Sequence, residues 1–104
     1  EEGEKEFEKL MLDISTKPIH FFLDFNAVIV NLESLSPEKQ KRCLADIENN
    51  IKILKTNLEE NLALKMTDSD IPEVGMAVLQ QQLVLAKAIE AWIDSLKETI
   101  VPLQ

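Results

Sequence analysis

Apolar residues recur at helical spacing in four stretches of the chain, and no stretch alternates with the period of two that strands require. In the first stretch, Phe7, Leu10, Met11 and Ile14 fall on one face of a helix predicted over about residues 4–14. Prolines separate the stretches, because proline interrupts a helix except in its first turn. The pattern therefore predicts an all-α fold of four helices.

The second stretch, PIHFFLDFNAVIVNLESL, predicts a helix from about Pro18 to Leu35 that is apolar on nearly every side. Its thin polar stripe contains His20 and Asp24, which would meet on one helix face because they are four residues apart. A helix of this composition is expected in the middle of an assembly. We therefore expect His20 to be partly buried, with its polar atoms satisfied by neighbours.

A strong start signal opens the third stretch, where Ser36 takes the capping position and Pro37 the first turn. This helix is predicted to end near Met66. Its apolar residues step by three and four, which is the spacing of a heptad seam. They are Leu44, Ile47, Ile51, Leu54 and Leu58.

The fourth stretch begins with the capping-box spacing of Asp70 and Glu73, and it predicts a helix from about Ile71 to Val101. Two adjacent apolar rows run along this helix. One row is Leu85, Ile89, Trp92 and Leu96, and the other is Met76, Leu79, Leu83 and Ala86. A helix with two apolar faces needs a partner on each of them.

The two long helices present more apolar surface than one chain of 104 residues can cover. Each, at about 30 residues, would be about 45 Å long, whereas a compact domain of this size has a radius of gyration of about 13 Å. Large exposed apolar patches are rare on monomers and mark partner surfaces. We therefore predict an intertwined antiparallel helical homodimer with a two-fold axis. A closed four-helix monomer with shorter, broken helices is the competing fold.

The predicted dimer interface draws on the first and fourth helices. Its residues are Phe7, Leu10 and Met11 together with Val78, Leu79, Leu85, Ile89, Trp92 and Leu96. Because each heptad row could face its own chain or the second copy, the sequence leaves open which helix crosses the axis.

Composition and charge narrow the function classes. The chain carries 19 acidic and 11 basic residues, and a formal charge of −8 disfavours a nucleic-acid surface. Cys43 is the only cysteine, so neither an intrachain disulfide nor a cysteine-based zinc site is expected. No apolar run reaches the roughly 18–20 residues of a membrane span, and no signal peptide is present, so a cytoplasmic location is expected. No enzymatic activity, metal or cofactor is predicted.

The helix order and three motifs resemble the C-terminal α-helical domain of PadR-family transcriptional regulators, in the larger subgroup that includes the virulence-gene activators. The motifs are an aromatic-rich helix (PIHFFLDFNAVIVNLESL), a Pro-Glu helix start (SPEKQKRCLADIENNI) and a last helix with an acidic residue before a tryptophan (EAWIDSL). In the last motif Trp92, Ile93 and Leu96 stand in the expected places, and Glu90 lies two residues before the tryptophan.

The start of the chain carries the same resemblance. EEG followed by EKEFEKLM is similar to the turn that ends the wing of a winged-helix regulator and the helix after it, with Gly3 permitting the turn. Residues 1–3 would then end a DNA-binding winged helix, and residues 1–104 would be the C-terminal dimerisation domain. The resemblance implies a homodimer that holds two winged helices at fixed spacing on a two-fold operator, with DNA bound only through those winged helices.

Three further hypotheses concern particular residues or surfaces. The family includes members that sense small molecules, and the resemblance makes Trp92 a candidate for stacking on a small aromatic effector, whereas core or interface packing is the alternative role. A helical adaptor would bind a partner helix with the same apolar faces. A histidine phosphotransfer domain would need an accessible His20, but bulky neighbours surround it and Asp24 would repel a phosphoryl group.

Overall fold

A computed structural model of the chain describes residues 2–67 and 72–100, the last of these by its backbone only. Four α-helices and one 3₁₀ helix make up the described part, in which no strand occurs. The elements are α1 (Glu2–Ser15), α2 (Asn26–Val30), the 3₁₀ helix (Leu32–Ser34), α3 (Pro37–Met66) and α4 (Glu73–Ile100). The predicted all-α class with two long helices is therefore confirmed.

α3 and α4 form a hairpin whose buried apolar residues recur every seven positions. They are Leu44 and Ile51 on α3, and Leu79, Ala86 and Ile93 on α4. Seven residues are close to two helical turns, so each set forms one narrow row, and the two rows face each other. The heptad seam predicted for the third helix is confirmed at Leu44 and Ile51.

The seam departs from the predicted heptad after Ile51. Leu54 is 47% exposed, and the half-buried position is taken by Lys55, whose Nζ donates a hydrogen bond to Glu90 Oε1 at 2.8 Å. Lysine can occupy such a position because its long aliphatic stem packs while its ammonium group reaches a partner. Leu58 then continues the seam as a half-buried residue.

The ends of α1 and α3 lie within two residues of the predicted ends. Ser36 Oγ accepts a hydrogen bond from the Lys39 backbone N–H at 3.4 Å, and Pro37 is the first helical residue, so the predicted start of α3 is confirmed. α4 begins at Glu73, two residues after the predicted start, and Pro72 is not helical. Asp70 and Val101 lie outside the described residues, so the capping box and the last residue of the fourth helix stay predictions.

The predicted helix from Pro18 to Leu35 is wrong. Residues 18–23 have no helical structure, and only the five residues of α2 and the short 3₁₀ helix are helical. The segment is rich in β-branched and aromatic residues, which have low helix propensity, and tertiary packing supplies most helical stability in proteins. Such packing is missing here, since Phe21 and Phe22 are 76% and 80% exposed within the single chain.

The prediction for His20 is wrong for the same reason. His20 is exposed rather than partly buried, and it precedes the first helical residue of the segment, so it shares no helix face with Asp24. A small core cluster forms further along, where Leu32 packs with Leu44 and Ile93. Gln40 fastens this corner to α3, because its Nε2 donates a hydrogen bond to the Leu35 carbonyl at 2.8 Å.

α1 continues through the glycine that was expected to form a turn. Gly3 lies inside the helix, and no glycine in the described part has a positive φ angle. The prediction of a turn at Gly3 is therefore wrong. Glu2 and Glu4 favour this helix start, since carboxylates stabilise the positive end of the helix dipole. None of the α1 residues is buried.

The molecule is long and thin. Its radius of gyration is 19.1 Å and its extents are 63 × 34 × 16 Å, compared with about 13 Å for the radius of a compact domain of this length. The accessible surface is 8452 Å², about 2,500 Å² more than the surface of a typical folded monomer of this mass. Unbroken long helices and an uncovered α1 exclude the closed four-helix monomer as the shape of this chain.

Candidate interaction surface

The outer face of α4 is an apolar surface that the single chain leaves largely uncovered. Val74, Val78 and Leu85 are 76%, 54% and 41% exposed, and Trp92 is 39% exposed. These residues point away from the row of Leu79, Ala86 and Ile93 that packs against α3. An exposed apolar row of this length is typical of a surface that binds another protein.

The nine residues predicted for the dimer interface fall into two groups. Most are open to a partner, and Ile89 is half-buried at the edge of the outer face; the exposed residues are Phe7, Leu10, Met11, Val78, Leu85 and Trp92. Leu79 and Leu96 instead pack within the chain. Leu79 is 7% exposed in the seam with α3, and Leu96 packs against the cluster of Leu32, Leu44 and Ile93.

A pocket of about 270 Å³ opens beside Trp92, between α4 and the irregular segment that precedes α2. Its walls are apolar except for one asparagine, and they are Phe21, Leu23 and Asn26 on one side and Leu85, Ala88, Ile89 and Trp92 on the other. The Trp92 ring stacks on Phe25 with their centroids 5.9 Å apart and 19° between their planes. Trp92 therefore already has an aromatic neighbour from its own chain.

A second groove lies between α3 and α4 and has a volume of about 300 Å³. Leu54 and Leu58 line it from α3, and Gln82, Leu85, Ala86 and Ile89 line it from α4. Leu85 and Ile89 border both hollows. The two hollows therefore join into one apolar surface, which runs from the hairpin groove to the Phe21 wall.

Two ion pairs fix the hairpin that carries this surface. Lys55 contacts Glu90 at 2.8 Å, and Lys97 contacts Glu48 at 3.0 Å. Seven residues separate the two positions on each helix, so the pairs set one antiparallel register. The hydrogen bond from Lys97 is the main cause that lowers the pKa of Glu48 below its ordinary 4.5, and the hydrogen bond to Glu90 raises the pKa of Lys55 above 10.5.

Charged residues on α4 avoid the outer face. On a helical wheel at 100° per residue, all of them fall within an arc of about 120° that covers the α3-facing side and one flank. They are Glu73, Lys87, Glu90, Asp94, Lys97 and Glu98. Interface cores are depleted in charge in this way, whereas a solvated helix face is not.

The described residues give little support to site chemistry. They contain no group of three or more His, Cys, Asp or Glu side chains that could hold a metal ion. His20 lies on an irregular segment beside exposed Phe21 and Phe22, whereas phosphotransfer uses a histidine held on a helix. In the part of the chain that the structure describes, no helix combines the length and the apolar composition needed to cross a membrane.

Two features of this region were not predicted from the sequence. The pocket wall formed by Phe21 and Leu23 requires an irregular segment where a helix was expected, and the poor helix propensity of that segment was the available signal. Ile93 is fully buried, and it continues the seven-residue spacing of Leu79 and Ala86, which could have identified it.

Comparison of the chain with protein-family models, with curated proteins and with solved structures finds no match in any of the three.

Proposed function

We propose that this chain is the C-terminal dimerisation domain of a PadR-like winged-helix transcriptional regulator. In this proposal two copies associate through α4 and α1 and hold two DNA-binding winged helices at a fixed separation. The observation that carries the dimer is the outer face of α4, which is apolar apart from Gln81, carries no charged residue and is exposed in the single chain. The domain itself has no enzymatic role and takes no cofactor.

The chain exposes enough surface to form a stable interface with a second copy. A standard stable interface buries about 800 Å² on each partner, and the chain exposes about 2,500 Å² beyond the expectation for its mass. α1 contributes a second apolar face, where Phe7, Leu10 and Met11 are 63%, 54% and 40% exposed. Both faces identified for the dimer are therefore available.

The regulator part of the proposal rests on two of the three motifs and on their positions, since the aromatic-rich motif does not form the expected helix. The Ser36-Pro37 start opens α3, and the Trp92-Ile93 pair lies on the last helix, which is the order that the family's helical domain has. The acidic charge of the chain agrees with a domain that leaves DNA binding to another part of the protein.

The decisive measurement is the mass of the chain in solution. One chain has a mass of 11.8 kDa. Light scattering or sedimentation at micromolar concentration is expected to give twice that mass. A monomer under these conditions would contradict the proposal. Independently, the coding sequence ahead of Glu1 is expected to encode a winged helix; a different domain there would remove the regulator and leave the dimer standing.

A helical adaptor is the second candidate, and the groove between α3 and α4 favours it. Leu54, Leu58 and Leu85 line a hollow open along the hairpin, and an amphipathic helix from another protein fits such a groove through apolar anchors spaced by three and four residues. The mass measurement distinguishes the two functions, because an adaptor would be a monomer on its own and would form a complex only with its target.

An aromatic effector is an additional proposal for the same surface. Trp92 lines the apolar pocket and stacks on Phe25, so a planar aromatic compound would have to insert beside these rings. Titration with planar aromatic compounds is expected to quench or shift Trp92 emission. An unchanged signal would leave Trp92 with a packing role.

A further inference from the structure

The exposed residues of α4 form a second heptad row, distinct from the row that packs against α3. Starting at Val74, the spacing is four, three, four, three and four residues, through Val78, Gln81, Leu85, Ala88 and Trp92. All six are exposed, whereas the inner row contains the buried Leu79, Ala86 and Ile93. A heptad row on each of two faces is expected of a helix that packs between two other helices.

We propose that this outer row packs antiparallel against the same row of a second copy, with the two-fold axis crossing the outer face at the level of residue 83 along α4. The proposal rests on the dimer of the proposed function and adds its register. Trp92 then faces Val74 of the other copy, Ala88 faces Val78, and Leu85 faces Gln81. The mouth of the pocket beside Trp92 then faces Val74 and Val78 of the second copy.

Side-chain size favours this direction over a parallel pair. In a parallel pair each residue meets itself at the axis, so Trp92 would meet Trp92 while Ala88 met Ala88, and the helices would be held apart at one point and leave a void at another. The antiparallel register places the large Trp92 opposite Val74 and the small Ala88 opposite Val78. Antiparallel helix dipoles also attract each other.

Charge and area agree with a second copy as the occupant. The outer row lies on the charge-free arc of α4, so pairing it with itself buries no ionised group and brings no like charges together. The row from Val74 to Trp92 extends about 27 Å along the helix at 1.5 Å per residue. The surplus surface of the chain exceeds what a stable dimer buries.

Disulfide trapping tests the register. The native Cys43 is first replaced, and Val78→Cys and Ala88→Cys are then made in separate Cys43→Ala chains. When the two chains are co-expressed and oxidised, we expect a covalent heterodimer at roughly tenfold the yield of either chain alone, because the bond forms only between Cα atoms within about 7 Å. Lys87→Cys, on the charged flank of α4, replaces Ala88→Cys in the matched control and is expected to trap little.

Each outcome decides between the proposals, provided that helix content by circular dichroism matches the parent chain. Self-trapping by Val78→Cys alone would show a parallel pair and overturn the register. A non-covalent dimer by light scattering, with no trapping of the 78–88 pair above the Lys87→Cys control, would also overturn the register while leaving the proposed dimer. A monomeric parent chain would overturn both. As a second readout, Trp92 emission is expected to shift to shorter wavelength as concentration rises and Val74 covers the ring.

Discussion

Trp92 and Ile93 are neighbours on α4, yet Ile93 is fully buried and Trp92 is 39% exposed. The inner face, which holds Ile93, mixes apolar residues with the ion-paired Glu90 and Lys97, whereas the outer face has apolar residues and no charge. Both faces are therefore apolar, and they differ in how much of their surface the rest of the chain covers. The inner face packs against α3. The outer face contacts the rest of the described chain near Trp92, which stacks on Phe25, and is otherwise exposed without the charged residues that would favour contact with water.

Breaking the inner face should have the largest effect on stability. Leu44→Ala removes a fully buried side chain from the cluster with Leu32 and Ile93, and we expect a loss of about 2–5 kcal/mol in the free energy of unfolding. Urea denaturation followed by circular dichroism measures it. Leu64→Ala is the matched control on the same helix, because Leu64 is 72% exposed, and its loss should be close to zero. Equal losses would mean that the hairpin core does not hold the fold.

Breaking the outer face should separate the copies and leave the hairpin intact. Leu85→Glu would bury a carboxylate without a partner in the proposed interface, so we expect about 100-fold weaker dimerisation, or roughly 2.7 kcal/mol. Sedimentation across a concentration series measures the dissociation constant, and circular dichroism checks that helix content is kept. Ala91→Glu is the control, since Ala91 is exposed on the charged flank. An unchanged dimer in Leu85→Glu would remove the outer face from the interface.

The start of α3 offers a smaller, local change that sharpens the contrast. Ser36→Ala removes the side-chain acceptor for the Lys39 N–H, and we expect a loss of about 0.5–1 kcal/mol in unfolding free energy because the 3.4 Å bond is long for a cap. Thermal unfolding at fixed protein concentration measures it. Ser36→Asp should retain the stability of the parent chain, and a matching loss in that variant would point to something other than capping.

We expect the smallest effect from the ion pairs of the inner face, which make the free energy of unfolding depend on pH. The pKa of Glu48 is lowered in the folded chain, chiefly by Lys97, so its contribution is present above the ordinary value of 4.5 and is lost as pH falls through the lowered pKa. The pKa of Lys55 is raised, so its contribution is present below 10.5 and is lost as pH rises through the raised value. Denaturation at several pH values should show a shallower acid limb for Glu48→Gln than for the parent.

The elements that the sequence predicts well are those whose signals are local. Ser36 and Pro37 mark a helix start by backbone chemistry alone, and the seven-residue rhythm from Leu44 to Ile51 needs only a second helix with the same period. The helix predicted after Pro18 depends instead on packing that the described part of the chain does not give it, since Phe21 and Phe22 are exposed. Its aromatic residues indicate that the helix would have to pack against another element, and periodicity cannot show whether such an element is available.

The interaction surface is only partly readable from sequence, because two apolar rows lie side by side on α4. Leu79 and Leu85 look alike in sequence, and only the register of the hairpin assigns the first to α3 and the second to the outer face. That register depends on Lys55, which occupies a seam position where a leucine was expected, since its stem packs and its ammonium reaches Glu90. The charge-free arc of α4 was present in the sequence and is the better guide to the outer face.

Of the two ion pairs described between α3 and α4, Lys97–Glu48 lies toward the base of the hairpin and Lys55–Glu90 lies near its middle. Toward the tip, the described core narrows to Leu79 with half-buried Leu58 and Leu62 on the opposite helix. Local opening needs less free energy where fewer groups are buried. Amide protons should therefore exchange with solvent first near Leu62 and Leu79 and last near Leu44 and Ile93, so the hairpin would unzip from its tip toward its base.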